Sequence, residues 1–133
     1  MTGGGSIFDQ IEATYTGRTT HGFELHCDAR NPNNLEINWE GNRFHLTDLN
    51  SAVCSDTALI QNPPDAEFDT FVGVGEGKLN GIPGAIIVFT FTDAGEPGVA
   101  DTADIVITYP DSTAVALDVQ GPLYNGNHQA HSN

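Results

Sequence analysis

The sequence predicts an all-β fold: an antiparallel β-sandwich, Greek-key or jelly-roll-like, in a single domain of residues 1–133. Two observations support this prediction. Apolar and polar residues alternate along most of the chain with little helical periodicity, and turns rich in Gly, Pro, Asn and Asp separate the apolar segments. Strands at this spacing pack as a sandwich or a closed barrel, and 133 residues are enough to bury one core.

The first part of the chain contains a glycine-rich start and a half-buried strand. Residues 1–6 include three consecutive glycines, and we expect a flexible or strand-donating N-terminus there. From His21 onward, Phe23, Leu25 and Cys27 face one way and the polar residues between them face the other. This alternation predicts a strand with one face in the core.

A tight hairpin is predicted around Glu40 and Gly41, because two alternating segments flank this pair. A two-residue loop puts apolar residues opposite apolar ones and polar residues opposite polar ones. The expected cross-strand pairs are Leu35–Leu46, Glu36–His45, Ile37–Phe44 and Asn38–Arg43.

The remaining elements follow the same pattern. Residues 51–55 predict a short strand, and residues 61–65 a loop made rigid by two prolines. Residues 68–79 predict a ribbon whose glycines mark bulges or a tight bend. The most apolar run, residues 85–92, predicts a central strand. Residues 105–109 and 114–119 are expected to pair across a Pro-Asp-Ser-Thr turn.

The charge of the chain excludes several partners. Eighteen acidic residues against four basic ones give a formal net charge of −14, so a nucleic-acid backbone or an anionic membrane surface would be repelled. No apolar run is long enough to span a membrane. We therefore expect protein partners or copies of the chain itself, with a glycan as a further candidate.

A calcium site is predicted between two of the strands, where four carboxylates lie in one connection that contains no basic residue. Such carboxylates repel each other unless a cation lies among them, and calcium prefers oxygen ligands. A solvated acidic turn is the alternative. The candidate ligands are Asp93, Glu96, Asp101 and Asp104.

Histidines offer a second metal-binding set, for zinc or copper. His26 lies beside Glu24 on one strand face, and His45 is expected opposite Glu36 in the hairpin. A solvated polar face explains the same residues without a metal. The candidate transition-metal ligands are His26, His45, His128 and His131, and His21 joins them in the alternative of a metal carrier or metal-dependent enzyme.

The two cysteines, Cys27 and Cys54, are too far apart in sequence for a C-x-x-C motif. Each lies on a strand-like segment, and a loop of this length gains stability from closure, so a structural disulfide is the leading interpretation. Two unrelated buried thiols are the alternative. A disulfide implies folding in an oxidising compartment.

Five segments resemble a known family: THGFELHCD at 20–28, NNLEINW at 33–39, GNRFHL at 41–46, FTFTDAGEPG at 89–98 and GNHQAH at 126–131. Together they resemble the post-choice-of-anchor type C-terminal domain of secreted bacterial cell-surface proteins. The resemblance implies an extracellular β-rich module, a Cys27–Cys54 bridge, and a GNHQAH ending that belongs to the domain. It implies no particular activity, and residues 9–18 depart from the family pattern.

The sequence thus predicts a non-enzymatic, secreted structural or adhesion module of a bacterial surface protein, stabilised by calcium and self-associating. The alternatives are a histidine-based zinc or copper protein and, third, a carbohydrate-binding module. The sequence contains no nucleophile elbow, H-E-x-x-H motif or phosphate-binding glycine loop, which is why a non-enzymatic function is expected.

Overall fold

A computed structural model describes residues 1–8, 18–30, 32–55, 69–93, 101–123 and 125–129. Within these ranges the chain forms nine β-strands and no helix. The strands are β1 (Thr2–Phe8), β2 (Arg18–Glu24), β3 (Asn34–Trp39), β4 (Asn42–Ser55), β5 (Thr70–Leu79), β6 (Ile82–Thr92), β7 (Thr102–Thr108), β8 (Val115–Pro122) and β9 (Asn125–Gln129). Neighbouring strands pair antiparallel throughout, which confirms the predicted antiparallel all-β fold.

All nine strands belong to one sheet, in the order β8-β7-β6-β5-β4-β3-β2-β1-β9, and this sheet curls into a half-barrel. The curl brings distant strands face to face across the core. Phe23 of β2 stacks on Phe91 of β6 with ring centroids 4.5 Å apart, although three strands separate them in the sheet. The two walls of the core are thus parts of the same hydrogen-bonded sheet.

The hairpin between β3 and β4 has the register that the sequence predicts. Glu36 pairs with His45, Ile37 with Phe44 and Asn38 with Arg43. The turn residues Glu40 and Gly41 have φ angles of 44° and 80°, as a two-residue turn between twisted strands requires.

Strand β5 has glycines on its inward face because aromatic rings of the neighbouring strands lie over them. A Cβ atom at Gly73 would overlap the ring of Phe89, and one at Gly77 would overlap the ring of Phe44. One of the predicted irregularities is also present, as a register shift between Gly77 and Lys78. The glycines therefore provide space for the core as well as backbone freedom.

Strand β1 lies between β2 and β9, with both of which it pairs antiparallel. Residues 1–6, for which the sequence predicts a flexible or strand-donating segment, supply most of this strand. Strand β8 ends at Pro122 and β9 begins at Asn125, so the last part of the chain leaves one edge of the sheet and pairs at the other. This crossing brings residues of β9 to the same end of the core as β6 and β7.

Candidate functional site

Polar side chains are buried in an interior that is otherwise apolar. The buried polar and charged residues of the described ranges are Ser6, Thr19, His21, Asp69, Thr70, Asp93, Asp101 and His128. Burial of such groups costs free energy unless hydrogen bonds or opposite charges compensate them. Their partners therefore define the candidate site.

The three buried carboxylates of the described residues lie directly before or after neighbouring strands. Asp69 directly precedes β5, Asp93 directly follows β6 and Asp101 directly precedes β7. The Asp93 amide donates to the Asp69 carbonyl at 2.8 Å, and the Leu123 amide donates to the Asp101 carbonyl at 2.9 Å. These bonds extend the sheet beyond the strand ends and hold the three residues at one end of the core.

Hydrogen-bond donors of the protein reach the carboxylates of Asp101 and Asp69. The Asp101 Oδ2 atom accepts the His128 amide at 2.7 Å, and the Asp69 Oδ1 atom accepts the Thr70 hydroxyl at 2.7 Å. A carboxylate that receives such bonds inside a protein needs less compensation from a cation. The His128 amide therefore supplies part of the compensation that a calcium ion would give to Asp101.

The predicted calcium ligands do not all lie together. Asp93 and Asp101 lie at adjacent strand ends, buried to 3 % and 0 % exposure, whereas Asp104 lies on the opposite face of β7. Partial burial and the neighbouring charge of Asp118 raise the pKa of the Asp104 carboxyl. Glu96 lies outside the described residues.

Calcium binding stays a prediction, and its test is the melting temperature. A rise at millimolar calcium that a chelator reverses would support binding. In the part of the chain that the structure describes, no group of three or more His, Cys, Asp and Glu side chains is arranged to hold a metal ion.

The centre of the buried polar set is a pair of histidines. The Nε2 atoms of His21 on β2 and His128 on β9 lie 2.7 Å apart, and the residues are 5 % and 0 % exposed. The His21 ring stacks on Phe91 with centroids 5.3 Å apart, and Phe23 lies against both imidazoles. Aromatic rings thus hold both histidines out of contact with water.

The hydrogen bonds of the pair assign its tautomers. The His128 Nδ1 atom lies 2.9 Å from the carbonyl oxygen of Thr92, which accepts only, so Nδ1 carries the proton. In neutral His128 the Nε2 atom then has a lone pair, and it accepts the Nε2–H of His21. The Nδ1 atom of His21 is left unprotonated, buried and without a hydrogen-bond partner among the described residues.

Both imidazoles are shifted towards the neutral form. Burial, and then the neighbouring His128, lower the pKa of His21 to about 3. Burial lowers the pKa of His128 to about 4, against the opposing effects of the Thr92 carbonyl and the Asp93 charge. The pair is uncharged at neutral pH.

The other histidines lie elsewhere. The His26 ring bonds the Pro32 carbonyl through Nδ1 at 2.7 Å, near the surface. His45 is exposed on the outer face of β4, and its partner Glu36 is paired with Arg43 at 3.1 Å. His131 lies outside the described residues. Of the predicted transition-metal set, only His128 is shown in contact with another histidine, and that partner is His21.

The spacing within the pair is that of a hydrogen bond. Two imidazole nitrogens that bind one tetrahedral zinc ion, each at about 2.0–2.1 Å, lie about 3.3 Å apart. The 2.7 Å between His21 and His128 is shorter, so a shared proton accounts for it without an ion. Zinc or copper binding stays a prediction, which elemental analysis of protein purified without a metal-affinity column would test.

The sequence contained a signal for this pair that the metal hypotheses did not use. His21 alternates with Phe23 and Leu25, so it faces the core, where a histidine needs a partner. No pattern in the sequence showed that the partner is His128, because the contact depends on the position of β9 beside β1.

The Cys27–Cys54 disulfide is present, with the two Cα atoms 5.8 Å apart. It joins the segment after β2 to the end of β4, and both cysteines pack against the core. The leading interpretation of the two cysteines is confirmed. No helix long and apolar enough to cross a membrane occurs in the described ranges.

Comparison of the chain with family models, with curated proteins and with solved structures gives no match. The resemblance to a post-choice-of-anchor type domain therefore stays an expectation from sequence.

Proposed function

We propose that the chain is a non-enzymatic structural module of a secreted bacterial surface protein, and that it self-associates by exchanging strand β1 between copies. The strongest support is the position of β1. This strand lies in a slot between β2 and β9, and the slot has room for a strand made of glycines. Adhesion or display at a cell surface is the function that such an assembly would serve.

The slot is narrow because three glycines of β1 lie close to neighbouring backbones. A Cβ atom at Gly3, Gly4 or Gly5 would come within 3.0 Å of a carbonyl oxygen of β2 or β9, closer than real Cβ atoms come. Residues with side chains do not fit without displacing backbone. The slot therefore favours a strand with glycines at these three positions, as in the Thr-Gly-Gly-Gly-Ser-Ile sequence of β1.

Main-chain hydrogen bonds to two neighbours and one deep anchor hold β1 in place. Ile7 is fully buried in the core, and the Ser6 hydroxyl donates to the Asn125 side chain at 2.7 Å. Strand addition combines main-chain bonds for affinity with side-chain pockets for specificity. A copy of β1 from a second molecule presents the same groups, so exchange conserves every contact and protein concentration determines its extent.

The disulfide supports the location part of the proposal. A Cys27–Cys54 bridge forms and persists in oxidising compartments, which is where surface proteins fold. The net charge of −14 keeps isolated modules soluble until strands exchange.

A cross-linking experiment tests exchange directly. Ser6 of β1 and Thr20 of β2 are register partners, so the double variant Ser6→Cys and Thr20→Cys forms a disulfide wherever β1 is seated. We expect concentrated protein to give covalent dimers and longer species on a non-reducing gel. The single variant Ser6→Cys is the matched control for random cross-linking.

Exclusive formation of an internally bridged monomer, at every concentration tried, would contradict the proposal. Electron microscopy gives an independent measurement, in which the intact protein is compared with a chain lacking residues 1–6. Identical monomers in both samples would also count against exchange of β1.

A further inference from the structure

We propose that a cleft on the outer face of β2, β3 and β4 binds a sugar that carries a carboxylate, as the uronate units of acidic polysaccharides do. The cleft has a volume of about 600 Å³, within the size range of sites that hold small ligands. It does not depend on the exchange of β1, which does not line it. Six of its lining residues are Arg18, Asn38, Glu40, Asn42, Arg43 and Asn80.

The pairing of the strands brings polar side chains together in this cleft. Thr20, Asn38 and Arg43 are register partners on β2, β3 and β4. The next residue along each strand is buried, so alternation turns these three side chains outwards. The Asn80 amide donates to the Arg43 carbonyl at 2.8 Å, which places the turn between β5 and β6 beside them.

The guanidinium group of Arg43 is held at one edge only. Its Nε atom lies 3.1 Å from Glu36 Oε1 and donates to Asn38 Oδ1 at 3.4 Å. The Nη1 and Nη2 atoms bond no group of the described residues, and the side chain is 70 % exposed. A guanidinium fixed in this way presents a planar pair of donors, which matches the two oxygens of a carboxylate.

The amide side chains of the cleft have donors to spare rather than acceptors. Asn38 Oδ1 accepts the Nε–H of Arg43, and Asn80 Oδ1 accepts the Arg43 backbone amide at 2.9 Å. The Oδ1 atom of Asn42 accepts the Asn80 Nδ2 group at 3.0 Å. The Nδ2 groups of Asn38 and Asn42 have no acceptor among the described residues. A ligand rich in acceptor oxygens therefore fits the cleft.

The charges around the cleft favour an anionic ligand at short range. Arg18 and Arg43, two of the four basic residues of the chain, both line it. The net charge of −14 repels anions from a distance, but screening limits this field to about 8 Å at physiological ionic strength. Glu36 is compensated by Arg43, so Glu40 is the lining carboxylate that repels the ligand.

A sugar suits this cleft better than an acidic peptide does. The donors of Thr20, Asn38 and Arg43 are spread over three strands about 4.8 Å apart, so the ligand must present several acceptors around its carboxylate. A uronate ring has hydroxyl oxygens on the carbons around its carboxyl group. Extended peptides bind at sheet edges, whereas β2, β3 and β4 are paired on both sides.

An NMR titration of the intact, nitrogen-15-labelled protein tests the proposal. The probes are the trisaccharides of galacturonate and glucuronate, and we expect at least one to shift the signals of Arg43 Nε–H and Asn38 Nδ2 at millimolar concentration. The methyl ester of that trisaccharide, which keeps the hydroxyls but has no charged carboxylate, should bind at least about tenfold more weakly. Triglutamate tests the peptide alternative. Absence of shifts with both trisaccharides, or equal binding of the ester or of triglutamate, would overturn the proposal.

Three exposed variants locate the binding. Arg43→Gln should weaken binding of the shifting trisaccharide at least about tenfold, because it removes the charged donors. Glu40→Gln should strengthen binding about threefold, because it removes the repelling charge. Arg30→Gln is the matched control, since Arg30 pairs with Asp28 at 3.0 Å and does not line the cleft. Unchanged binding in Arg43→Gln, or an equal loss in Arg30→Gln, would contradict the site.

Discussion

His21 and His128 are 107 residues apart in the chain, and their ring nitrogens lie 2.7 Å apart inside the half-barrel. The contact exists because β9 returns to pair with β1, next to the strand that carries His21. It is one of several buried polar contacts of the interior, and its hydrogen bond requires one particular arrangement of the two rings. Such a contact links the packing of β9 against β2 and β6 to the protonation state of the pair.

The stability of the whole protein should depend on pH through the same two groups. Because the pKa of each histidine is lower in the folded state, the unfolded chain binds more protons below pH 6.5. We expect the free energy of unfolding to level off about one pH unit above 6.5 and to fall by about 1–3 kcal/mol per pH unit between pH 6 and 4. Urea titrations at half-unit pH steps would measure this, and a flat profile down to pH 4 would refute it.

Phe91 is the aromatic residue on which both histidines rest. It is fully buried, and its ring lies 5.3 Å from that of His21 and 5.2 Å from that of His128. We expect Phe91→Ala to destabilise the protein by about 3–5 kcal/mol, through lost transfer free energy and a cavity. Tyr109→Ala, at a position 49 % exposed, should change stability far less in the same urea titrations. Similar losses for both variants would show that the interior is not packed as described.

The sequence predicted the local structure better than the site. Period-two alternation and a two-residue turn determine a hairpin, so the partners of Ile37 and Asn38 were predicted correctly. Contacts across the barrel depend on how far the sheet curls, which local pattern does not encode. Alternation also separates two of the four predicted calcium ligands, because Asp101 and Asp104 are three residues apart and so lie on opposite faces of a strand.

The glycines of β5 and β2 should respond in opposite ways to the same substitution. Gly73→Ala forces a methyl group into the ring of Phe89, and we expect a loss of about 1–3 kcal/mol from overpacking. Gly22→Ala adds a methyl group in open space, so its effect should be neutral or slightly stabilising. Thermal melts of the two variants, compared with the parent, would distinguish these outcomes. Equal effects would contradict the packing of Phe89 over β5.

The disulfide should contribute to stability through closure of the loop between Cys27 and Cys54, a sequence separation of 27. For a loop of this length we expect the double variant Cys27→Ser and Cys54→Ser to lose about 2–4 kcal/mol. Urea titrations of parent and variant, each with and without a thiol reductant, provide the measurement. The reductant should destabilise the parent only, and insensitivity of the parent would argue against the bridge.

Nitrogen-15 chemical shifts of the imidazole rings, followed by NMR from pH 8 to pH 4, test the neutral histidine pair most directly. At pH 7 we expect His128 to carry its proton on Nδ1 and His21 on Nε2, and neither ring to titrate in the folded protein above pH about 4.5. If either ring gained a proton near pH 6.5 while the chain remained folded, the histidines would be accessible to water, and the description of a buried neutral pair would be contradicted.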